Sequence, residues 1–284
     1  WSLRWKRRCP FLTKWGTRSS SSRTTAAVPK PPTKLENEGD LVDFYASCPS
    51  VPYIMEEFIN GTIVSFDGVA DSNCVPLFYT SNYFPTPIMD IVNTQGDLAY
   101  WTQKRVPEEL RQVGFATIKA FGAKSRFFHC EFFRLNEDKE GLGKKGDYVA
   151  LEVNMRPAGG YTPDMINFAN SVDCYQIWAD MVCFDQVRNL DLKGPHYYCV
   201  YASRRDGIRY LHSHEQIMAA TVPASKMCDR LPDAWRWTWA TRCTSSTPLP
   251  KRNGTTSSAL CSSGSDFSAR IVRGSAPRAF FVVF

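Results

Sequence analysis

The sequence predicts an α+β protein in which antiparallel strand pairs are combined with amphipathic helices. The clearest strand is Arg126–Leu135, RFFHCEFFRL, which a polar, glycine-containing run separates from a second extended run, Tyr148–Asn154. Two such runs joined by a turn are typical of an antiparallel pair. Further upstream, Pro107 marks a helix start, because Glu108 and Glu109 follow it and apolar residues then recur at helical spacing.

The first part of the chain contains a helix signal followed by two strand signals. Gly39–Tyr45, GDLVDFY, has acidic side chains near its start and predicts a short helix. Tyr53–Ile59 is an extended apolar run, and Thr62–Val69 alternates like a half-buried strand. Because Asn60 and Gly61 between them form a turn signal, the two runs predict a hairpin.

Residues 161–222 predict further helices and a second hairpin. They contain no motif that indicates a catalytic or binding function. Thr162–Asn170 and Ser171–Val187 are expected to be consecutive helices, and a short helix is expected from His214. Tyr197–Ala202 and Ile208–Leu211 predict the hairpin. Helical spacing assigns these residues to the core: Leu110, Val113, Ile118 and Phe121 in the helix after Pro107, and Ile177, Met181 and Val182 here.

The charge is distributed unevenly along the chain. The formal net charge is +6, but residues 1–34 hold nine Lys or Arg and no acid, and residues 223–284 hold nine against three acids. The middle, residues 35–222, therefore holds 16 basic and 25 acidic side chains. Basic ends of this kind are typical of arms that bind nucleic acid through its phosphates.

The cysteines and histidines indicate an intracellular protein without a zinc site. Ten cysteines without a CxxC pair predict no disulfide framework. His129 lies in an apolar strand with no second histidine nearby, so we expect a packed core side chain. No apolar run reaches transmembrane length and the start has no signal-peptide core, and since the chain opens on Trp1 we expect a fragment. The cysteines predicted to be buried thiols are Cys130, Cys174, Cys183 and Cys199.

The stretch Leu151–Gly160, LEVNMRPAGG, carries the strongest chemical signal. Alternation along an extended strand places Glu152, Asn154 and Arg156 on one face. A carboxylate and an amide oxygen suit Mg²⁺, and a guanidinium suits phosphate or carboxylate. The alternative is the polar face of a half-buried strand, although the break into Pro and Gly favours a loop that approaches a ligand.

A second acid, Glu131, lies in the middle of the apolar strand. Burying a carboxylate is unfavourable unless it is paired or coordinates a metal. If Tyr148–Asn154 returns as the antiparallel partner, Glu131 and Glu152 come from adjacent strands, a geometry that can hold a divalent cation. The alternative is a structural pairing of either acid with an arginine.

With these residues in hand, residues 35–222 resemble the ATP-grasp superfamily, nearest to the branch of carbamoyl-phosphate synthetase large chains and biotin carboxylase. The resemblance is carried by LEVNMRP about twenty residues after a strand glutamate, by EEFI at residues 56–59, and by TQKRVPEEL around Lys104. It implies an ATP-grasp fold, in which antiparallel sheets with flanking helices grip ATP between two subdomains.

The resemblance implies that one segment contacts the nucleobase and that one lysine lies near the phosphates. Glu56, Glu57, Phe58 and Ile59 would contact the adenine edge, largely through backbone groups. Lys104 matches the lysine of the family's QKxxEE segment, which lies near the phosphates.

The resemblance also implies a metal site and a reaction. Glu131, Glu152 and Asn154 would bind the Mg²⁺ (or Mn²⁺) ions that bridge the phosphates of ATP. Arg156 would steady the acyl-phosphate or the carboxylate substrate. The reaction implied is attack of a carboxylate or bicarbonate on the γ-phosphate, followed by capture of the acyl-phosphate by an amine or another nucleophile.

Two departures from the family pattern stand out. Ile63 occupies the position seven residues after Glu56, where relatives often have a ribose-binding acid. The family also has an upstream strand whose Lys-Pro pair binds phosphate, followed by a glycine-rich flap. Here that space is Gly16–Lys34, GTRSSSSRTTAAVPKPPTK, in which we expect no such strand. The chain as written could therefore lack activity.

Both basic ends are consistent with translation in a shifted reading frame. Read from one nucleotide earlier, permissible codons for GTRSSSSRTT spell GYPLVVKPDNG, and those for Trp235–Ser246 spell LAMDMGDAMYIVH. We therefore hypothesise that residues 1–34 and 223–284 are out-of-frame ends around a partial ATP-grasp domain at 35–222. The alternative is a pair of disordered ends rich in Ser, Thr and Arg.

The predicted function is an ATP- and Mg²⁺-binding, ligase-type domain of a cytoplasmic enzyme that forms carbon–nitrogen bonds. Its expected partners are a small-molecule carboxylate and a nucleophile, with no membrane and no nucleic acid. One alternative is a non-catalytic nucleotide-binding or scaffold protein. Another is a nucleic-acid binder that uses the basic ends.

Overall fold

The computed structural model describes residues 19–23, 33–47, 53–87, 90–91, 94, 96–221, 224–230, 242–246 and 279–281. The chain divides into two compact units, one ending at Asn60 and one starting at Gly61. The predicted boundaries near residues 34 and 222 remain a prediction. No helix in these described ranges is long and apolar enough to cross a membrane.

The first unit contains a small antiparallel sheet and one helix. Its strands are β1 (Ser19–Arg23), β2 (Thr33–Leu35) and β3 (Tyr53–Glu57), in the order β2-β1-β3. The helix predicted at Gly39–Tyr45 is confirmed as α1 (Glu38–Ser47). β1 and the start of β2 lie within Gly16–Lys34, but β1 reads SSSSR and contains no Lys-Pro pair, so the expectation that this segment holds no phosphate-binding Lys-Pro strand stays a prediction.

The second unit contains a ten-stranded sheet and four described helices with defined bounds. The sheet has the order β11-β12-β10-β7-β6-β4-β8-β9, with β5 paired to β4 and β13 paired to β10. The elements are β4 (Gly61–Ala70), β5 (Pro76–Thr80), β6 (Asn82–Phe84), β7 (Ala99–Thr102), α2 (Glu108–Ala120), β8 (Arg126–Leu135), β9 (Tyr148–Asn154), α3 (Thr162–Asn170), α4 (Cys174–Phe184), β10 (Tyr198–Arg204), α5 (His214–Thr221), β11 (Ser225–Asp229), β12 (Arg242–Ser246) and β13 (Ala279–Phe281).

The hairpin predicted between Tyr53–Ile59 and Thr62–Val69 is wrong. β3 pairs with β1, whereas β4 pairs with β8 along one edge and with β5 and β6 along the other. Both edges of β4 are therefore occupied, and β3 has no edge of β4 to pair with. The predicted antiparallel partnership of β8 and β9 is confirmed.

Helices cover both faces of the central strands β4 and β8. On one face, Leu110 and Ile118 of α2 pack in a buried cluster with Phe66, Phe128 and Phe132. On the other face, α3 contributes to a cluster around Ile63, and α4 contributes to a cluster around Val69. Because both faces are covered, residues 63–70 of β4 are all buried, and the prediction of a half-buried strand is wrong.

The predicted helices are confirmed, but some of the residues assigned to the core are not buried. Pro107 lies at the N-cap of α2, as predicted. Phe121 is 64% exposed because the helix ends at Ala120, and Val182 on α4 is 54% exposed. The other assigned residues are buried or half-buried.

The hairpin predicted after residue 196 is only half correct. Tyr198–Arg204 is a strand, but it pairs with β7, β12 and β13, and Ile208–Leu211 forms no strand. The segment is instead tied to the loop before β7, since the Tyr210 hydroxyl donates to Asp97 Oδ1 at 2.6 Å.

The cysteines differ in exposure. Cys130, Cys174 and Cys199 are buried free thiols, as predicted, but Cys183 is exposed, because it lies on the outer side of α4. Burial raises the pKa of Cys174 to about 12, and it raises the pKa of Cys199 further.

We predict that iodoacetamide at pH 8.5 alkylates Cys183 in the native protein and leaves Cys174 and Cys199 unmodified until urea unfolds it. The thiolate is the reactive form, and burial disfavours it. Peptide mass spectrometry measures the modified fraction at each site. Alkylation of Cys174 at the rate of Cys183 in the native state would contradict the buried placement, and a Cys183→Ser variant is the control for site assignment.

Candidate functional site

The acids of β8 and β9 face each other across the strand pair. Glu131 pairs with Glu152, and His129 pairs with Asn154. Since opposite residues share a face, these four side chains lie on one side of the sheet. Opposite Cβ atoms in an antiparallel pair are about 4.5–5.5 Å apart, which is close enough for two carboxylates to share one ion. The predicted adjacency of Glu131 and Glu152 is confirmed.

This alignment depends on a one-residue irregularity in β9. Glu131 pairs with Glu152, but the next residue of β8, Phe132, pairs with Ala150. Leu151 is therefore left without a partner and forms a β-bulge. A bulge shifts the pairing by one residue, and a shift by one moves every following side chain to the opposite face.

Without the bulge, the acid of β9 would lie in the apolar core. A regular continuation of the pairing would set Glu152 opposite Cys130, whose side chain is fully buried beneath α2. The cluster on that face shows the switch, because Tyr148 and Val153 both pack in it although they are five positions apart. The bulge thus directs Glu152 and Asn154 away from α2 and onto the face that carries Glu131.

His129 lies between two carboxylates. Its Nδ1 donates to Asp67 Oδ1 on β4 at 2.6 Å, and its Nε2 lies 3.4 Å from Glu131 Oε1. Asp67 is 2% exposed and His129 8% exposed. The predicted burial of His129 is confirmed, but the side chain contacts two carboxylates and is not simply packed among apolar groups. Burial alone lowers the pKa of His129, but Asp67 and Glu131 outweigh it and raise the pKa to about 10.

The ion pair is the end of a longer buried network. Ser65 Oγ and Asn82 Nδ2 both donate to Asp67 Oδ2, the second at 2.9 Å. Asn82 also donates its backbone N–H to Ser65 Oγ at 2.9 Å, and Thr102 Oγ1 donates to Asn82 Oδ1 at 2.8 Å. Ser65, Asn82 and Thr102 are fully buried. A continuous chain of polar contacts therefore runs from Thr102 on β7 to Glu131 on β8.

Asn154 and Arg156 differ in their surroundings. The Nδ2 atom of Asn154 is buried and has no hydrogen-bond partner among the described residues. Arg156 lies beyond the end of β9, is exposed, and donates from Nη1 to the carbonyl of Pro157 at 3.0 Å. The strand register therefore aligns Asn154 with Glu152, but it does not extend to Arg156.

Lys104 lies between β7 and α2 and is half-buried. Burial lowers the pKa of the His196 imidazole, and the positive charges of Lys104 and Arg105 lower it further. His196 Nδ1 lies 3.1 Å from Asn170 Oδ1. The region around Lys104 is therefore electropositive, which suits an anion.

The segment predicted to contact adenine belongs to the first unit. Glu56 and Glu57 end β3, and Phe58 and Ile59 follow it. Glu56 is exposed and the other three are half-buried, and the Lys34 ammonium lies 4.5 Å from the centroid of the Phe58 ring. The predicted metal ligands and Lys104 belong to the second unit.

The donor set at the acid pair consists of oxygen atoms. In the part of the chain that the structure describes, no group of three or more His, Cys, Asp and Glu side chains could hold a metal ion. The candidates are two carboxylates and an amide, Glu131, Glu152 and Asn154. Such a set fits a hard cation that keeps water and phosphate oxygens as further ligands, as Mg²⁺ does.

The sequence interpretation missed the residues behind the acid pair. Ser65 and Asp67 lie in TIVSFDGV, which was predicted only to be a half-buried strand, without a role for either side chain. Asn82 and Thr102 lie on short strands that show no periodic signal. A buried aspartate opposite a histidine could not be found without the pairing of β4 and β8, because 62 positions separate the two residues.

Solved structures provide the comparison with known proteins, since no family model and no curated protein matches the chain. The biotin carboxylase domain of 2-oxoglutarate carboxylase from Hydrogenobacter thermophilus matches with a TM-score of 0.53 and 13% identity, over 73% of this chain and 49% of that one. An N5-carboxyaminoimidazole ribonucleotide synthetase matches with 0.54 and 16%, over 84% and 59%. An L-amino acid ligase from Bacillus licheniformis matches with 0.53 and 12%, over 79% and 54%.

The chain spans about half the length of these proteins, between 49% and 59%. At this level of identity the likeness concerns the fold. All three are ATP-grasp proteins, and the second unit has the expected antiparallel sheet with flanking helices. The chain therefore has the ATP-grasp fold, as its sequence predicted.

Proposed function

We propose that the chain is an ATP- and Mg²⁺-binding domain of a ligase that activates a carboxylate or bicarbonate through an acyl-phosphate. The observation that carries the proposal is the direct pairing of Glu131 with Glu152, which a bulge at Leu151 aligns on one face. A bulge that sets two carboxylates directly opposite each other destabilises the fold, since like charges in a cross-strand pair repel. A bound cation removes that repulsion.

Glu131, Glu152 and Asn154 are the residues that would hold Mg²⁺. Bound Mg²⁺ would neutralise and bridge phosphate oxygens during phosphoryl transfer. Glu131 is oriented from behind by His129, and Glu152 is exposed and free to meet solvent or a phosphate-bound ion. The amide of Asn154, whose Nδ2 has no partner among the described residues, offers its oxygen beside the two acids.

Two cations would act on the substrates. Lys104 would hold a phosphate or the carboxylate near the positive region that it shares with Arg105 and His196. The exposed guanidinium of Arg156, with its fork geometry, would steady the acyl-phosphate or the carboxylate substrate. Glu56–Ile59 would contact the adenine edge through the backbone that follows β3. Ile63 is buried in an apolar cluster, so the ribose contact would come from another residue.

The proposal extends to partners and location by analogy. The Hydrogenobacter structure contains MgADP, ADP and bicarbonate, which supports a nucleotide, a metal and a small carboxylate as ligands here. The chain spans about half the length of the proteins that it matches. The nucleophile substrate and the complete reaction are therefore proposed by analogy with those longer proteins. The free thiols of Cys74, Cys130, Cys174, Cys183, Cys199 and Cys228 support a cytoplasmic location.

A second candidate is a protein that binds nucleotide without turnover. The observation that favours it is β1, which lies in the segment where the resemblance implies a phosphate-binding strand but reads SSSSR and contains no lysine. Without a lysine there, the transferring phosphate would lack a cation that stabilises it electrostatically.

We propose instead that β1 is out of frame. The shifted reading places LVVKP across this strand, and its lysine would supply the missing cation.

The first test of the proposed function is nucleotide binding. We expect the full chain to bind ATP only with Mg²⁺, and Glu152→Ala to weaken binding by about tenfold or more, because a metal ligand is lost. Isothermal titration calorimetry measures both, and Glu137→Ala, an exposed acid in the β8–β9 turn, is the matched control.

Release of ADP separates the candidates. Binding with carboxylate-dependent ADP release supports the ligase, and binding without release supports the second candidate. Absence of ATP binding would contradict both the ligase and the nucleotide-binding protein without turnover. If strongly salt-dependent binding of RNA or DNA accompanied that absence, the basic ends would be the functional part.

A second prediction tests the bulge. Deletion of Leu151 removes the unpaired residue and leaves Ala150 opposite Phe132 and Glu152 opposite Glu131 in a regular ladder, so we expect Mg²⁺-dependent ATP binding to be retained. Leu151→Ala keeps the extra residue and, since Leu151 is 38% exposed, is expected to bind ATP like the original chain. Circular dichroism checks the fold of both variants. Loss of binding in a folded deletion variant would show that the site needs the bulge itself and not only the pairing of Glu131 with Glu152.

A third prediction concerns the ends. Sequencing of the transcript should show a frame that encodes GYPLVVKPDNG in place of GTRSSSSRTT, at residues 16–25. An uninterrupted frame that still encodes SSSSRTT is the contrary result. In that case the second candidate gains support, because no lysine would lie on β1.

A further inference from the structure

The buried pair behind the acids is placed to control one of them. Asp67, His129 and Glu131 lie side by side on one face, because Asp67 pairs with His129 across β4 and β8 and Glu131 is two positions further along β8. His129 contacts both acids, one through each ring nitrogen, at 2.6 Å and 3.4 Å. The imidazole therefore lies between the two carboxylates, with one ring nitrogen toward each.

The far end of the pair is immobilised. Asp67 Oδ1 accepts from His129, and Asp67 Oδ2 accepts from Ser65 and Asn82. Asn82 is held in turn by Thr102. A carboxylate with bonds to both oxygens cannot rotate without losing several of them, so Asp67 fixes the imidazole plane. The imidazole then limits the orientations open to Glu131.

Burial increases along the network away from the acid pair. The side chain of Glu131 is 14% exposed, that of His129 is 11% exposed and that of Asp67 is 2% exposed. The most accessible member is thus the residue proposed to meet the cation, and the members behind it are dry. A ligand carboxylate that is itself hydrogen-bonded keeps its geometry, and loss of such an outer partner weakens metal binding.

The same network reaches the strand that leads to Lys104. Thr102 ends β7, and the next residue, Gln103, donates its backbone N–H to Ser81 O at 2.7 Å and its Nε2 to Ser81 Oγ at 2.8 Å. The strand end before Lys104 is therefore hydrogen-bonded to Ser81, the residue that directly precedes Asn82 at the start of β6. One set of contacts joins the segment of Lys104 to the side chain of Glu131.

We propose that Asp67 and His129 are positioning residues of the metal site, which orient the Glu131 carboxylate toward the cation, with Asn82 and Thr102 holding them in place. This inference rests on the proposed function, because it assumes that Glu131 is a ligand. It assigns a role to residues that do not touch substrate themselves.

The test measures Mn²⁺ binding by electron paramagnetic resonance on the full chain, without nucleotide and without turnover. Asp67→Asn keeps the shape but removes the charge that holds His129, and we expect Mn²⁺ affinity to fall by about tenfold or more. Asp180→Asn is the matched control, since Asp180 is a buried carboxylate, 6% exposed, with two hydrogen bonds in and after α4. It is expected to leave Mn²⁺ affinity unchanged.

Thr102 provides a milder pair of variants in case Asp67→Asn does not fold. Thr102→Val removes the hydroxyl at nearly constant volume and should weaken Mn²⁺ binding by about threefold. Thr102→Ser keeps the hydroxyl and should restore most of the affinity. A simple loss of packing would affect the serine variant more than the valine variant, which is the opposite order.

The outcomes separate the two proposals. If the original chain binds no Mn²⁺, the proposed metal site fails. If it binds Mn²⁺ and folded Asp67→Asn binds equally well, or if Asp180→Asn weakens binding to the same extent, the positioning role is overturned. Weaker binding in Asp67→Asn and Thr102→Val, with the two controls near the original value, supports the inference.

Discussion

The bulge at Leu151 is the constraint on which the site depends. β9 must contribute apolar residues to the cluster beneath α2 at its start and polar residues to the opposite face at its end. Tyr148 and Glu152 are four positions apart, so a regular strand, whose side chains alternate with a period of two, would set both on the same face. One unpaired residue resolves the conflict at the expense of a local ladder bond. The bulge therefore allows the same strand to stabilise the core and to present Glu152 beside Glu131.

The polar network makes the register of β4 against β8 specific. On this face Ile63 and Val69 lie in separate apolar clusters, and Ser65 and Asp67 lie between them. A slip by one residue would turn Asp67 toward the phenylalanine cluster beneath α2, where a carboxylate has no partner and its burial is strongly unfavourable. Buried polar groups stabilise a fold only when they are satisfied. The contacts that satisfy Asp67 thus favour one register, and that register also sets His129 against Glu131.

The sequence predicts the parts of this structure that are long, periodic and local. β8, β9 and α2 follow from hydrophobic pattern and turn chemistry, and the adjacency of Glu131 and Glu152 follows from their pairing. The hairpin of β3 with β4 failed because a turn signal at Asn60 and Gly61 does not reveal that β8, β5 and β6 occupy both edges of β4. The bulge and the Asp67–His129 contact are non-local, so no periodicity in one segment could reveal them. Cys183 was misplaced because it was assigned from its apolar run, and such a run does not determine how far the apolar face extends around α4.

The strand β1 provides an independent argument about the reading frame. It pairs with β3 at five positions, from Ser19 opposite Glu57 to Arg23 opposite Tyr53, although serine and arginine are not residues that favour strands. β12, RCTSS, contains one residue of a type that favours strands, Thr244. The shifted readings place LVVKP across the first strand and MYIV across the second, and Val, Ile and Tyr are strong strand formers. Two strands with weak sequences that both become strong under the same one-base shift support a common cause. Under the proposed frame shift the pairing of Glu131 with Glu152 is unaffected, and the lysine of the proposed phosphate strand would be encoded by a codon that is divided between Ser21 and Ser22.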